Sequence, residues 1–518
     1  MEVEEFLWLI LSCLSVWIYH EDGSSSWAVW LVFGRSLWVT IFPNKNFNHR
    51  PWRPQQPKKE ENYNLLQGSA MSVVLVPTLL QAMAHSNPHW KVYANYTALF
   101  ALPMPLLVLV AATATAWNST SSKSDSGADG DYAEELFTTR TVGFLFLGYF
   151  LENLIIATTI SKALTFGETR VIISLVAILI WEWMAHLFTN LAGSNFDVGD
   201  EDGIASNVSH TRVSLSGAIG CFLTCTFVSL LVRQKKLIFP LWGRIFLLVL
   251  GPLCMVEVDL WRQEQIRSTM KTLSFPRCLN WLAEFLHDSE PTSSHFRYFG
   301  LFYWVLVLAI STIPTRQLTR SQQSTVLTRK WFHFVAVLLF GPITFQFPQL
   351  LSLSYAIAFC GLMVLETLRC DVPGIQQFYM ALVDPTKDDT EGFILSHMGL
   401  IVGCAAPLWI AEGIVTGQES STLLAQWGVL CLGIGDAMGA IVGKSIGRNR
   451  WGKNRRTVEG SSAMWLSMML VGLWFSDTWV FPVATTFVTI LEAFTLQMDN
   501  LVLPLAGSTI ILLLRYRQ

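Results

Sequence analysis

The sequence predicts an all-α, polytopic integral membrane protein. Hydrophobic residues fill 52% of the chain and charged residues only 14%, so most of it belongs in a bilayer rather than around one water-facing core. Apolar runs long enough to cross a membrane, about 20 residues each, recur with few interruptions, and we count roughly 13 to 15 of them. The polar residues gather between these runs, so local charge carries more meaning than the net −3 of the chain.

The first run, Phe6 to Tyr19, follows Glu2, Glu4 and Glu5 rather than a basic n-region, and is expected to be a retained first span. Further spans are expected at Val142 to Ile160, Val171 to Ala192, Val213 to Val232 and Leu237 to Val256. Between them lie the polar loop Asn44 to Asn64 and the Ser/Asp-rich stretch Asn118 to Glu135, whose composition predicts disorder. Asn95, Asn118 and Asn207 head Asn-X-Ser/Thr triplets, and the last two suit glycosylation acceptors on the lumenal side. Glu257 to Phe296 interleaves acids and bases with Trp261, Phe275, Trp281 and Phe285, a pattern for an interfacial helix. The nine cysteines have no metal-ligand spacing, and those in apolar runs read as small hydrophobes; neither disulfides nor zinc are expected.

The chain is expected to divide near Arg297, into an N-terminal membrane region, residues 1–296, and a working region, residues 297–518. Arg233, Lys235 and Lys236 form one basic turn, and Thr315 to Lys330 carries four positive charges and no acid, so both are assigned to the cytosol. Spans near Trp331 to Phe347 and Leu351 to Leu368 then return the chain to the cytosol at Arg369. A second hairpin, Ile394 to Ile414 and Leu423 to Val442, delivers residues 443–460 to the same side, and a third, Ser461 to Ala493, delivers Met498 to Asn500. Separate polar clusters thus meet at one membrane face. The basic loop containing Lys45, Arg50 and Lys58 breaks this alternation, so one early segment is expected not to cross.

The segment Gly433 to Gly460 carries the strongest signal. Lys444, Arg448, Arg450, Lys453, Arg455 and Arg456 set six positive charges against the single carboxylate of Glu459 between Gly443 and Gly460, which attracts a polyanion. Asp436 lies just upstream as a candidate ligand for a divalent cation. Such a basic cluster after a span is also an ordinary topology determinant. Gly435, Gly439, Gly443 and Gly447 recur every four residues and leave one helix side bare, either for close helix packing or for a nucleotide to approach the backbone. Gly443-Lys444-Ser445 is not a Walker A loop, because position 438 is Met438 where that motif needs glycine.

Other clusters lie at span ends. Arg329 and His333 are four apart beside Lys330, readable as snorkelling anchors or as a site. Glu366 and Arg369 are three apart at a span end, a costly placement unless used. Asp384, Asp388, Asp389 and Glu391 form a solvated acidic run before His397. Glu492, Asp499 and Asn500 interrupt apolar sequence near the C-terminus, where carboxylates are read as ligands.

Together these residues resemble the dolichol kinase and phytol kinase family of polyprenol kinases. The resemblance runs through Arg329-Lys330-Trp331-Phe332-His333, Glu366 with Arg369, Leu395-Ser396-His397, Gly433 to Gly460 ending in Thr457-Val458-Glu459-Gly460, and Leu491-Glu492-Ala493 with Met498-Asp499-Asn500-Leu501. It implies phosphorylation of the terminal hydroxyl of dolichol by CTP, at the cytosolic face of the endoplasmic reticulum membrane, with Gly443 to Gly460 as the CTP-binding region. One departure is that Trp451 runs directly into Gly452, where the family commonly inserts proline. On this basis Gly443, Lys444, Gly447, Lys453, Arg455, Arg456, Thr457 and Gly460 are expected to bind the nucleotide, and Asp436, Glu459 and Asp499 to hold Mg²⁺ or another divalent cation. The expected catalytic set is Asp436, Glu459, Asp499, Glu366, Arg369, Lys330 and His333, with Asp499 or Glu366 taking the dolichol proton. Dolichol in the bilayer and CTP are the expected partners, and nucleic acid is not. Two other readings remain: a CTP-using cytidylyltransferase acting on a lipid phosphate, and a transporter with a glycine-broken helix.

Overall fold

The computed structural model describes residues 3–21, 30–34, 69–84, 89–99, 139–158, 164–189, 204–233, 241–266, 276–287, 294–320, 325–369, 372–382, 393–414, 418–452, 456–474, 476 and 478–515. Among them there is no strand, only an isolated bridge between Arg450 and Thr457. The helices are α1 Val3–Glu21, α2 Ser69–Met83, α3 His89–Leu99, α4 Thr139–Ala157, α5 Phe166–Thr189, α6 Ile204–Arg233, α7 Leu241–Ile266, α8 Arg277–His287 and α9 Ser294–Arg320. They continue as α10 Thr325–Gln346, α11 Pro348–Leu368, α12 Pro373–Leu382, α13 Ser396–Ile414 and α14 Gln418–Gly428, which passes through a π-helical segment, Val429–Asp436, into α15 Ala437–Ser445. The last three are α16 Val458–Gly472, α17 Val480–Phe494 and α18 Asp499–Arg515.

Among the described residues, four stretches are long and apolar enough to cross a bilayer: Thr211–Ser229, Leu241–Trp261, Pro348–Leu368 and Thr422–Ser445. Large apolar side chains such as Trp242, Phe246, Phe299, Phe302, Val305 and Ile310 stand exposed on α7 and α9, which in water would be an unshielded patch and in lipid is an ordinary surface. The chain is therefore an all-α membrane protein. The stretches Asn44 to Asn64 and Asn118 to Glu135, with Asn118 itself, and the acidic run 384–391 lie outside the described residues.

The helices pack as two units. One comprises α1 to α4, α5 as far as Trp181, and α18 from Thr509. Inside it Tyr93, Tyr96 and Phe144 form an aromatic cluster that Trp181 joins edge-on to Phe144. Gly143 lies under the Trp181 ring, where a β-carbon would stand 2.7 Å from a ring carbon. Thr165 and Glu168 exchange side-chain bonds with each other's amides at the start of α5, a reciprocal cap for otherwise unpaired N–H groups. Arg170 reaches the Glu152 carboxylate at 3.1 Å. The sequon residue Asn95 lies within α3.

The second unit runs from Glu182 to Ser508. Here α6 lies against both α7 and α11, and α10 lies against the π-helical segment and α15. Polar side chains on these helices meet partners: Arg212 reaches the buried Asp259 at 3.1 Å, and the Thr211 hydroxyl donates to Glu412 at 2.8 Å. Of the expected interfacial stretch Glu257 to Phe296, residues 267–275, with Phe275, and 288–293 lie outside the described residues. Among the described ones, α7 continues unbroken through Glu257 to Ile266, and α8 is a separate amphipathic helix, with Trp281 stacked on Phe285.

The glycine ladder is filled by protein. A β-carbon at Gly435 would stand 2.6 Å from Met468 Sδ, and one at Gly439 would stand 3.3 Å from the Gly460 carbonyl oxygen and from Met464. At Gly443 it would stand 3.0 Å from Thr457 Oγ1. The bare face is thus the seat of α16, so of the two readings the spacing left open the geometry here shows close helix packing. α16 answers with Gly460, whose own β-carbon would meet the Gly439 carbonyl oxygen at 2.8 Å and Gly443 Cα at 3.1 Å. Neither obstacle is a movable side-chain tip. Gly460→Ala should therefore destabilise the protein by about 1–3 kcal/mol, read as a lowered melting temperature of the detergent-solubilised chain. Gly341→Ala, with nothing within 4 Å of the new carbon, should leave melting unchanged or slightly raised.

Candidate active site

Two ionic clusters form the polar centre of the second unit. In the first, Lys330 and His333 occupy one side of α10, one turn apart, and face Asp436 at the end of the π-helical segment. Lys330 Nζ donates to Asp436 Oδ2, and His333 Nδ1 lies 3.5 Å from the same oxygen. His333 Nδ1 also bonds to the Leu432 carbonyl oxygen at 2.8 Å; since a carbonyl only accepts, this nitrogen carries the proton. Asp436 and His333 are each 6% exposed, so the carboxylate is an internal charge that Lys330 neutralises. Short π-helical turns inside α-helices commonly mark functional positions, and this one sets both Leu432 and Asp436 toward α10. Gly433, in the same turn, packs on Val337 of α10.

The second cluster is built on Arg456. Its guanidinium reaches Glu492 Oε1 at 2.5 Å and the Glu492 carbonyl oxygen, and its other arm reaches Asp499 Oδ2 at 3.3 Å. One side chain thus joins the basic loop to the end of α17 and the start of α18. The two clusters share a field: Arg456 acts on Asp436, and Asp436, Asp499 and Lys330 all act on Glu492. Sequence reasoning read Glu492, a carboxylate seven residues before Asp499 in otherwise apolar sequence, as a ligand without naming what it would hold; its partner in the structure is Arg456.

The loop itself is a short hairpin. Arg450 bridges Thr457, Trp451 N–H donates to the Arg456 carbonyl oxygen at 3.1 Å, and Val458 N–H donates to that of Asn449 at 2.8 Å. Gly452 has φ +60, a left-handed conformation that glycine adopts without strain. Trp451 fastens the hairpin, donating from Nε1 to Ser461 Oγ at 3.0 Å and meeting Phe494 edge-on. Thr457 caps α16 by accepting from Gly460 N–H at 3.2 Å.

The other expected residues, where described, have places of their own. Glu459 spends both carboxylate oxygens on Asn449, accepting from its backbone N–H and its side-chain amide. Gly443, Gly447, Thr457 and Gly460 form the packing between α15 and α16, and Lys444 stands exposed at the end of α15. Lys453 and Arg455 lie outside the described residues. Glu366 and Arg369 form a pair of their own: Arg369 Nε and Nη2 donate to the carboxylate at 3.1–3.2 Å, and Glu366 Oε1 also accepts the Ile394 N–H at 2.9 Å.

Among the described residues no three His, Cys, Asp or Glu side chains form a ready metal cage. A magnesium ion at a phosphoryl-transfer site asks for less, one or two carboxylates beside the phosphates themselves. Asp436 fits that need. Lys330 bonds its Oδ2, and Oδ1 has no hydrogen-bond partner among the described residues.

Comparison with known proteins points one way. The chain is 34% identical over 245 residues to "Dolichol kinase EVAN" of Arabidopsis thaliana, covering 43% of this chain and 41% of that protein. It is 32% identical over 220 residues to "Dolichol kinase sec59" of Schizosaccharomyces pombe, covering 40% and 43%. It is 28% identical over 256 residues to the dolichol kinase of Homo sapiens, covering 44% and 46%. The similarity is to dolichol kinases. The chain spans less than half the length of these dolichol kinases, and no family model and no solved structure matches it.

Two outcomes follow from this geometry. Lys330→Met strands a buried carboxylate and should cost about 3–5 kcal/mol, whereas Lys330→Met with Asp436→Asn should recover most of that in thermal unfolding. Glu459 is held below its ordinary carboxyl pKa, first by its own backbone N–H at the start of α16 and then by the N–H of Asn449. A depressed carboxyl stabilises fully above its unfolded value and loses that contribution as pH falls through the folded one. The hairpin should therefore resist limited proteolysis at neutral pH and open on acidification below about pH 4.5, the ordinary value for this carboxyl. Glu459→Gln should abolish that acid dependence.

Proposed function

We propose that this protein is a dolichol kinase, transferring the γ-phosphoryl group of CTP to the terminal hydroxyl of dolichol. The observation that carries the proposal is the meeting of Lys330, Asp436, Arg456, Glu492 and Asp499 beside a basic hairpin in a membrane helical protein. Similarity to dolichol kinases from a plant, a yeast and a mammal supports it. The setting we propose is the endoplasmic reticulum membrane, with roughly 13 to 15 spans, the site facing the cytosol, and residues 297–518 as the catalytic region. An alcohol that ends a long apolar chain is accessible where bilayer meets water, and Arg456, Glu492 and Asp499 meet at the end of α17 and the start of α18.

In this reading Lys330 and Arg456, aided by Lys444, Lys453 and Arg455 of the loop, neutralise the triphosphate and hold it in place. Asp436 with Asp499 would hold Mg²⁺, which when bound offsets charge on the β- and γ-phosphates. Asp499 takes the proton from the acceptor hydroxyl. The alkoxyl oxygen bonds to the γ-phosphorus as the bond to the β–γ bridging oxygen breaks, and its electron pair leaves with CDP. Catalysis then rests on positioning and charge neutralisation. His333, fixed as a donor to Leu432, orients Asp436. Glu366 is buried beneath its bonds to Arg369 and Ile394, whereas the Asp499 side chain is 27% exposed, which favours Asp499 as the proton acceptor. Glu459 keeps the hairpin closed.

Purified full-length protein in detergent, given dolichol, Mg²⁺ and labelled nucleotide, tests the proposal. γ-Label should pass from CTP to lipid, with much less from ATP, and Asp436→Asn should lower kcat by about 10²–10³-fold. Transfer of CMP label to the lipid would replace kinase with cytidylyltransferase. A folded, lipid-supplied sample that moves no label would overturn the reading altogether.

A further inference from the structure

The Glu366–Arg369 pair is buried, 3% and 2% exposed, at the end of a membrane-crossing helix. Burying two charges in an apolar setting costs more than packing hydrophobic residues there, so such a pair makes sense where it fixes something else. What it fixes can be followed bond by bond. Glu366 Oε1, besides its bonds to Arg369, accepts the N–H of Ile394, a 1%-exposed residue in the extended stretch that leads into α13. That amide would otherwise be a buried donor without an acceptor. Two residues on, the Ser396 carbonyl oxygen accepts the side-chain amide of Asn500 at 3.1 Å. The backbone N–H of Asn500 donates in turn to Asp499 Oδ1 at 2.9 Å, and Asp499 Oδ2 meets Arg456.

Packing reinforces the same line. A β-carbon at Gly399 would stand 2.8 Å from Met498 Sδ and 3.5 Å from Asn500 Cβ, and Gly403 lies against the Asn500 backbone. The start of α18 is therefore seated directly on the first turns of α13. The position of Asp499 depends on where α13 begins, and that depends on the carboxylate of Glu366.

We propose that Glu366, Arg369 and Asn500 are positioning residues, forming a relay from the end of α11 through the start of α13 that sets the carboxylate of Asp499 against the acceptor hydroxyl. The relay rests on the kinase reading above, because only there does the position of Asp499 matter to a reaction.

The test uses full-length protein in detergent with dolichol and γ-labelled CTP, measuring kcat, KM for CTP and melting temperature for Glu366→Gln, Arg369→Lys, Asn500→Ala and the double variant Glu366→Gln/Asn500→Ala. Displacing a reacting group by about 1 Å can cost about 10²-fold, so each single variant should lose about 10- to 100-fold in kcat while KM for CTP stays within about twofold. The double variant should fall no further than the worse single one, since both cut one line of contacts. Arg369→Lys, which keeps the charge and loses the fork, should retain more activity than Glu366→Gln. If a glutamine at position 366 prevents folding, Asn500→Ala, at the far end of the relay, still decides the matter. Full kcat in folded Asn500→Ala, losses that multiply in the double variant, or a lowered melting temperature with undiminished kcat would overturn the relay. Absence of transfer by the wild-type protein would instead remove the kinase reading on which it rests.

Discussion

An internal carboxylate in a lipid-facing helical protein is costly unless it is paired or hydrogen-bonded, and the pairing of Asp436 with Lys330 is the constraint around which the second unit is arranged. It ties α10 to the middle of the α14–α15 rod at the point where the rod widens into a π-helical turn. That turn lets Leu432 offer a carbonyl to His333 while Asp436 offers a carboxylate to Lys330, so two residues one turn apart on α10 are both satisfied. On the opposite side the rod needs glycine, because α16 packs where side chains would stand. Charge pairing on one face and close packing on the other hold the same rod, and a change on either face is felt at Asp436.

The same economy governs Arg456. A long cationic side chain in a loop is ordinarily a mobile surface group, and pairs of that kind contribute little. Arg456 differs because its guanidinium is shared among the Glu492 carboxylate, the Glu492 backbone carbonyl and Asp499, contacts that belong to two helices. The hairpin is also fastened independently, by Trp451 on Ser461 and Phe494 and by Glu459 on Asn449. With its root immobilised this way, Arg456 can serve as a fixed positive charge, which a preorganised phosphate site requires. Loop cations such as Arg448 and Arg450, by contrast, stand exposed and supply attraction rather than placement.

Much of this was legible in the sequence because lipid makes charge conspicuous. Lys330, His333, Asp436, Arg456 and Asp499 each interrupt or border apolar runs, and the structure gathers them into linked clusters. The glycine spacing was equally visible, but its meaning was not. A bare helix face reads alike whether a ligand or another helix covers it, and only the positions of Met464, Met468 and Gly460 decide for α16. Glu492 was read as a ligand from its apolar setting, but its partner was not legible, since a backbone carbonyl and a carboxylate meet one guanidinium there and no linear spacing encodes that. Glu459 was grouped with Asp436 by charge, whereas its geometry serves Asn449, a neutral residue that drew no notice. Composition also suggested one long interfacial stretch at Glu257 to Phe296, because the charges near the end of α7 resemble those of a surface helix; Glu257 there reaches back to the N–H of Cys278 at the start of α8.

Division of labour between the two kinds of charge follows from dielectric. Exposed loop cations act through water and ions, and their pull is screened within about 8–10 Å at ordinary ionic strength. Lys330 and Asp436 act inside a helical body where water is scarce, so each displacement of their charges matters far more. A polyanion drawn by the loop would have to give up part of its hydration to come near them. The ion pairs already in place reduce that cost, because the cations are held at fixed positions before any ligand arrives and their carboxylate partners can be exchanged for phosphate oxygens. A site built from preformed pairs therefore holds its charges in readiness without leaving any of them buried alone.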